Sequence, residues 1–295
     1  MDFMGIHGFT VGNWKHILLP TEDAYRFLQA GDVKIIANAD GITRDPRIGK
    51  IIDISTILGK IKFVLFYPRN SNNSSPAAEV ARIFCNKFVG SIKIFPQYYA
   101  SEITLENVFL DANQSVAKFN EKYFPIANYL KRDLAGCVAS GALILGRDVF
   151  YGFIADSGFI VFDRKGNIKF QTPNEGPNSK GNIDEVVARR HKTSFKYPRG
   201  RAFIRSHYRN NPSEPLSYGA LTGETSAMHY VKTGYYELRE GEIPMVFTDG
   251  LEEALLSGKF ADLIKQEKFS SIRNFCQKKV KTEGSLVYVL ENENH

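Results

Sequence analysis

The chain has 295 residues, 43% hydrophobic and 24% charged, with a net charge of +6, the balance of a globular protein that can bury its own core in one large sandwich or about two domains. Cys85, Cys137 and Cys276 stand in no CxxC spacing, which excludes a disulfide framework and suggests a reducing compartment. The N-terminus lacks a basic start followed by an apolar stretch, and no apolar run approaches the roughly 20 residues that cross a bilayer, so a cytoplasmic location without membrane contact is expected. The positive charge favours anionic partners without selecting one.

Phe9 to about Asn72 reads as strand-rich, with apolar runs at Ile17–Leu19, Val33–Ala37 and Ile61–Tyr67 between turn signals. Ser75-Pro76 then starts a helix whose apolar positions Ala78, Val80, Ala81, Phe84, Cys85 and Phe88 recur at helical spacing. A second helix is expected from about Leu105 to Arg132, kinked or split at Pro125. Strands resume at Gly136–Leu145, Val149–Ala155, Gly158–Phe162 and Ile168–Gln171. From about Thr172 to Pro215 the periodicity is lost, which predicts a long loop or small insertion. Strands at Tyr230–Leu238 and Ile243–Phe247, helices at about Leu251–Gln266 and Ser270–Val280, and a strand at Ser285–Leu290 complete the chain. Segregated runs of strands and helices argue for α+β layers, and two central sheets covered by helix pairs satisfy the order.

Two apolar runs end in Asp-Gly, VKIIANADG at Val33–Gly41 and IPMVFTDG at Ile243–Gly250. Taken singly, Asp-Gly is a common hairpin-turn dipeptide and Glu22-Asp23 a common solvated pair. Taken together they differ: each Asp-Gly follows a strand too apolar for a surface hairpin, Glu22-Asp23 opens a strand, and Asp156 lies between two apolar strands. Carboxylates gathered in a core repel one another and call for a compensating cation. Six scattered histidines and three isolated cysteines offer no zinc set, so an oxygen-binding ion such as Mg²⁺ or Mn²⁺ fits, and a metal-dependent hydrolase of phosphate esters is expected.

These residues resemble the metal-dependent Ser/Thr protein phosphatases, the PPM family of type 2C, from about Phe9 to Glu291. Thr21-Glu22-Asp23 stands for the family's Asn-Glu-Asp, and Ala39-Asp40-Gly41 for its first Asp-Gly strand. Asp111-Ala112-Asn113-Gln114 stands for its Ala-Asn helix, Gly136-Cys137-Val138-Ala139 for Gly-x-Thr-Ala, and Ala155-Asp156-Ser157-Gly158 for Gly-Asp-Ser-Arg. Gly219–Gly223 approximates the Ala-Leu-Gly turn, Gly241-Glu242 the Gly-Asp, and Thr248-Asp249-Gly250-Leu251 is intact. The resemblance implies a single domain, residues 1–295, folded as a four-layer αββα sandwich with two Mn²⁺ or Mg²⁺ ions at one edge. By that analogy Asp40 bridges the ions, the Gly41 carbonyl binds one, Asp249 ligates the other, Glu22 and Asp23 hold metal-bound waters, and Asp156 belongs to a weaker third site. A hydroxide between ions roughly 3.5–4 Å apart would attack phosphorus in line, with Asp40, Asp249 and Glu22 carrying catalysis. The implied substrate is a phosphoserine or phosphothreonine protein, with a cognate Ser/Thr kinase as a further candidate partner.

The chain departs from the family pattern twice. Thr282, a poor ligand, aligns with a metal-binding Asp, and Glu283, one residue on and one methylene longer, is the candidate replacement. The upstream phosphate-binding Arg is absent; Lys15, His16, Arg44 and Arg47 are the nearby bases, and Arg44 is favoured because a guanidinium fork suits phosphate. These departures motivate an alternative, a weakened pseudophosphatase serving as a binding or regulatory module. Val186 to Asn211 holds no acid, and Arg189, Arg190, Lys192, Lys196, Arg199, Arg201, Arg205 and Arg209 alternate there with Phe195, Tyr197, Phe203 and Tyr208. In the PPM reading this is a variable flap beside the active site; single-stranded nucleic acid is the less favoured partner.

Overall fold

The computed structural model describes residues 5–12, 21–43, 57–58, 61, 74–94, 96–129, 132–177, 179, 181–193 and 197–290. Among these, ten strands form two five-stranded antiparallel sheets. One has the order β1 (Gly5–Gly12), β10 (Glu283–Leu290), β9 (Ile243–Phe247), β6 (Gly158–Phe162), β7 (Ile168–Gln171). The other runs β2 (Ala24–Ala30), β3 (Val33–Ile42), β4 (Gly136–Leu145), β5 (Asp148–Ile154), β8 (Val231–Glu237). Val-, Ile- and Phe-rich strands buried along nearly their whole length are what a sheet covered on both faces requires. Ile36, Ala142, Ile144, Val149, Phe159, Val161, Val246, Val287 and Val289 fill the space between the sheets.

Helices α1 (Pro76–Ile92) and α2 (Glu102–Tyr123) cover the second sheet; Phe84, Phe88 and Phe109 pack on one another and on Gly141 and Gly152, where any side chain would collide with these rings. Helices α6 (Gly258–Lys265) and α7 (Ile272–Lys279) cover the first sheet through Phe260, Ile264, Ile272 and Phe275. The result is the four-layer αββα sandwich expected from the sequence.

Several boundaries move. Helix α1 begins where Ser75-Pro76 places it, with the Ser75 hydroxyl accepting from the Ala78 N–H at 3.0 Å. Helix α2 starts at Glu102, capped by Ser101, and ends at Tyr123 instead of running to Arg132. Pro125 terminates it rather than kinking it, because the residue before a proline is pushed out of the helical region; Phe124 sits at φ −138°. The helix expected at Leu251–Gln266 is split into α5 (Glu252–Leu255) and α6, since Ser257 caps the second piece. The stretch 172–215 is not all loop: it holds α3 (Ile183–His191) and α4 (Pro198–His207), which share a small core of Ile183, Val187, Ile204, Tyr208 and Tyr218. Residues 17–19 and 62–67 lie outside the described residues, and Ile61 is helical rather than extended. No helix among the described residues is long and apolar enough to cross a membrane.

Candidate metal centre

The two sheets bring distant carboxylates to one edge. Asp40 lies near the end of β3, opposite Val138 of β4; Asp23 immediately precedes β2; Glu283 opens β10, opposite Gly12. Carboxylate oxygens of Asp23, Asp40 and Glu283 all lie within 4.8 Å of one another. Asp249 follows β9 at the start of a single 3-10 turn, and its charge acts on Asp23 and Asp40. Asp156 sits in the turn between β5 and β6 within reach of the Asp249 charge. The structure thus gathers Asp23, Asp40, Asp249, Glu283 and Asp156 along one edge. Thr282 is exposed. Arg44 and Arg47 lie outside the described residues, as do Lys15 and His16.

Neither Asp-Gly pair is a hairpin turn. Such turns need a glycine at positive φ, and Gly41 and Gly250 are not among the positive-φ residues. β3 continues through Gly41 to Ile42. A Cβ on Gly41 would lie 2.7 Å from the Ala77 carbonyl and 2.9 Å from that of Glu22. A Cβ on Gly250 would collide with the Glu283 carbonyl oxygen. Each glycine lets another backbone press against the residue that follows the acid. Gly250 does so against the strand that delivers Glu283.

Glu22 is not within the cluster. Its Oε2 accepts from the Ser75 hydroxyl and, at 3.0 Å, from the Ala78 N–H, placing an anion on the N-terminus of α1. Its backbone N–H donates to Glu283 Oε2 at 2.6 Å, so the residue orients a cluster member through its main chain. Thr248 is a residue that sequence reasoning quoted without a role. Its hydroxyl donates to Asp23 Oδ2 at 2.7 Å and accepts from the Ser285 N–H at 2.8 Å, tying Asp23 to both β9 and β10. Beneath the cluster the sheets are pinned by buried polar groups. Asn38 Nδ2 donates to the Ser285 carbonyl at 3.4 Å, and the Ser140 hydroxyl lies 2.6 Å from Asn38 Oδ1 and 3.0 Å from the Gly158 carbonyl. Buried groups with that many partners hold a single register.

The electrostatics are those of crowded anions. Burial, then the Glu283 charge, pushes the Asp23 carboxyl up to about 7, against the Thr248 hydroxyl, which favours the ionised form. Burial, then the charges of Asp23, Asp249 and Glu283, drives Asp40 well above the carboxylate range. Burial and Asp249 bring Asp156 to about 7. Asp249 reaches solvent at the rim, yet partial desolvation raises it too, with Glu252 and Glu283 adding to the rise. Among the described residues no Lys or Arg pairs with Asp23 or Asp40. Asp23 Oδ1 is buried without a hydrogen-bond partner. An orphaned buried carboxylate oxygen inside an all-oxygen donor set fits a hard divalent cation such as Mg²⁺ or Mn²⁺.

No protein-family model matches the sequence, and no curated protein does. Solved structures do match. A bacterial serine phosphatase superposes with a TM-score of 0.62 at 10% identity, covering 99% of both chains. The serine/threonine phosphatase Stp1 from Staphylococcus aureus gives 0.60 at 10% identity, covering 99% of this chain and 96% of the other. The catalytic domain of the serine threonine protein phosphatase PstP, in complex with two manganese ions, gives 0.54 at 12% identity, covering 98% and 99%. The fold is therefore that of the bacterial PPM-type phosphatases, as the sequence motifs suggested.

Proposed function

We propose that the chain is a divalent-metal-dependent phosphatase acting on phosphoserine and phosphothreonine in proteins. The observation that carries the reading is the buried acidic cluster, Asp23, Asp40 and Glu283 with Asp249 beside it, set at a sheet edge in a fold shared with Ser/Thr phosphatases. Asp40, Asp249, Glu283 and the Gly41 carbonyl hold the ions, Asp23 joins them directly or through water, and Asp156 serves a weaker site. Glu283 takes the place left by Thr282, its extra methylene spanning the offset of one residue. Bound divalent ions supply a water of lowered pKa and neutralise charge on a transferring phosphoryl group. The protein's part is placement. The Glu22 N–H fixes Glu283, the Thr248 hydroxyl fixes Asp23, and the Asn38–Ser140 pair keeps the two sheets in register beneath them. Arg44, four residues after Asp40, remains the proposed phosphate ligand.

The test is hydrolysis of p-nitrophenyl phosphate across a Mn²⁺ titration. Activity that requires Mn²⁺ and falls by about 100-fold or more in Asp40→Asn and in Asp249→Asn is expected, given that even groups behind metal ligands are worth about 10- to 100-fold. Equal turnover by all three proteins would remove the assignment.

A further inference from the structure

Beside the cluster a cleft of about 480 Å³ is lined by Ile42, Thr43, Asp184, Ile204, Arg205 and Arg209, among others. Its floor, Ile42-Thr43, directly follows Asp40-Gly41, and two residues along a strand is about 7 Å. One wall comes from α3 and α4. On α4 and its extension, Arg201, Arg205 and Arg209 recur every fourth residue, so they share a face.

A single buried carboxylate serves two of these arginines. Asp133 takes Arg209 at 2.7 and 3.3 Å, Arg205 Nη1 at 2.8 Å and the Thr43 hydroxyl at 3.1 Å. Arg209 is 1% exposed and spent on that pair. Arg205 keeps 15% of its side chain exposed at the cleft, and of its donors only Nη1 meets a carboxylate among the described residues. Asp133 and, at Arg209, the Glu224 charge balance the two buried arginines, so what the cleft offers an anion is the exposed edge of Arg205. Burial lowers Arg205 against the pull of Asp133, with Arg209 adding to the fall, and burial and Arg205 lower Arg201.

We propose that this cleft takes an anionic side chain lying within two residues of the phosphorylated one, with Arg205 as the specificity-determining contact. The idea rests on the phosphatase reading. The apolar walls, Ile42, Pro177, Ile183 and Ile204, accept the stem of such a side chain, and the guanidinium accepts its head. The anion can be a carboxylate or a second phosphate.

Three fluorescein-labelled phosphothreonine peptides separate the cases, identical but for Glu, phosphoserine or Gln two residues from the phosphothreonine. Phosphate release with Mn²⁺ gives kcat and KM, and anisotropy gives affinity without turnover. The Glu or the phosphoserine peptide should exceed the Gln peptide by roughly tenfold in kcat/KM, carried by KM. The peptide with the larger excess identifies the anion. In Arg205→Gln the ratio should fall toward one, while Arg205→Lys, which keeps a cation over Asp133, should retain part of it. Equal affinity for all three peptides, or a preference that survives in Arg205→Gln, would overturn the cleft assignment. Tighter binding of single-stranded DNA than of any peptide, lost in Arg205→Gln, would assign the cleft to nucleic acid instead. Preferential binding with no turnover of any peptide would sink the phosphatase reading and leave the cleft intact.

Discussion

Two regions of this molecule bury carboxylates, and they treat them in opposite ways. Asp133 is fully enclosed, yet against the desolvation of its burial Arg209 and then Arg205 hold it below its ordinary value. At the sheet edge Asp23 is buried and Asp40 half-buried; they face one another and Glu283, and both are driven up. The chain therefore has the means to neutralise a buried acid from within, and at the sheet edge the described residues do not use them. Such repulsion is what an outside cation would relieve. The Asp133 group is paired within the fold and turns only the edge of Arg205 to the cleft, whereas the sheet-edge group has no cationic partner among the described residues.

The largest effect should come from breaking the complete group. Asp133→Asn leaves two guanidinium groups under one neutral amide, and removing one partner of a buried pair costs about 3–5 kcal/mol. Urea denaturation should show that loss with or without Mn²⁺. Asp23→Asn should do the reverse in metal-free protein, stabilising it by removing a repelled charge while weakening Mn²⁺ by roughly tenfold or more in calorimetry. If both substitutions destabilise the metal-free protein alike, the contrast between the two regions is false.

The next effect sharpens how the ligands are held. Gly250→Ala puts a methyl into the Glu283 carbonyl, so either the turn or the start of β10 must shift. Overpacking of this kind costs about 1–3 kcal/mol. Because Asp249 and Glu283 stand on the two sides of that contact, Mn²⁺ affinity should fall along with stability. A variant that loses stability but binds Mn²⁺ normally would show that the close approach serves packing alone.

How much of this was legible in the sequence differs between the same two regions. Asp23 and Glu283 stand where strands start, but Asp40 and Asp249 could be found because each ends an apolar run, and strand periodicity fixes where such a run delivers its last residue. The role of their glycines could not, because Asp-Gly reads as a turn and only the folded backbone shows Ala77 or Glu283 pressing on the missing Cβ. Glu22 was read with Asp23, but the chain rotates between them, sending one carboxylate to a helix N-terminus and the other to the cluster. The Asp133 group was invisible: Arg209 is 76 residues away, and a segment without acids reads as a solvated basic loop. The two short helices beside it escaped notice because their apolar positions, Ile183, Val187 and Ile204, are too few to show a period.

The last effect is a pH dependence, and its sign separates the regions most cleanly. Asp23 and Asp156 titrate at about 7 in the fold against an ordinary 3.8. Between those values the folded metal-free chain keeps protons that the unfolded chain releases, so this contribution is whole below about pH 4 and is lost as pH rises through about 7. Asp40 acts in the same direction. Asp133, held low, acts only at and below its ordinary value and adds nothing to that window. The urea midpoint of metal-free protein should therefore fall from pH 5 to pH 8. Saturating Mn²⁺ competes with those protons, so the stabilisation it adds, about 2.7 kcal/mol at 100 times its dissociation constant, should be smaller at pH 5 than at pH 8. A metal-free midpoint that rises over this range would mean that the sheet-edge acids are already neutralised from within, as Asp133 is.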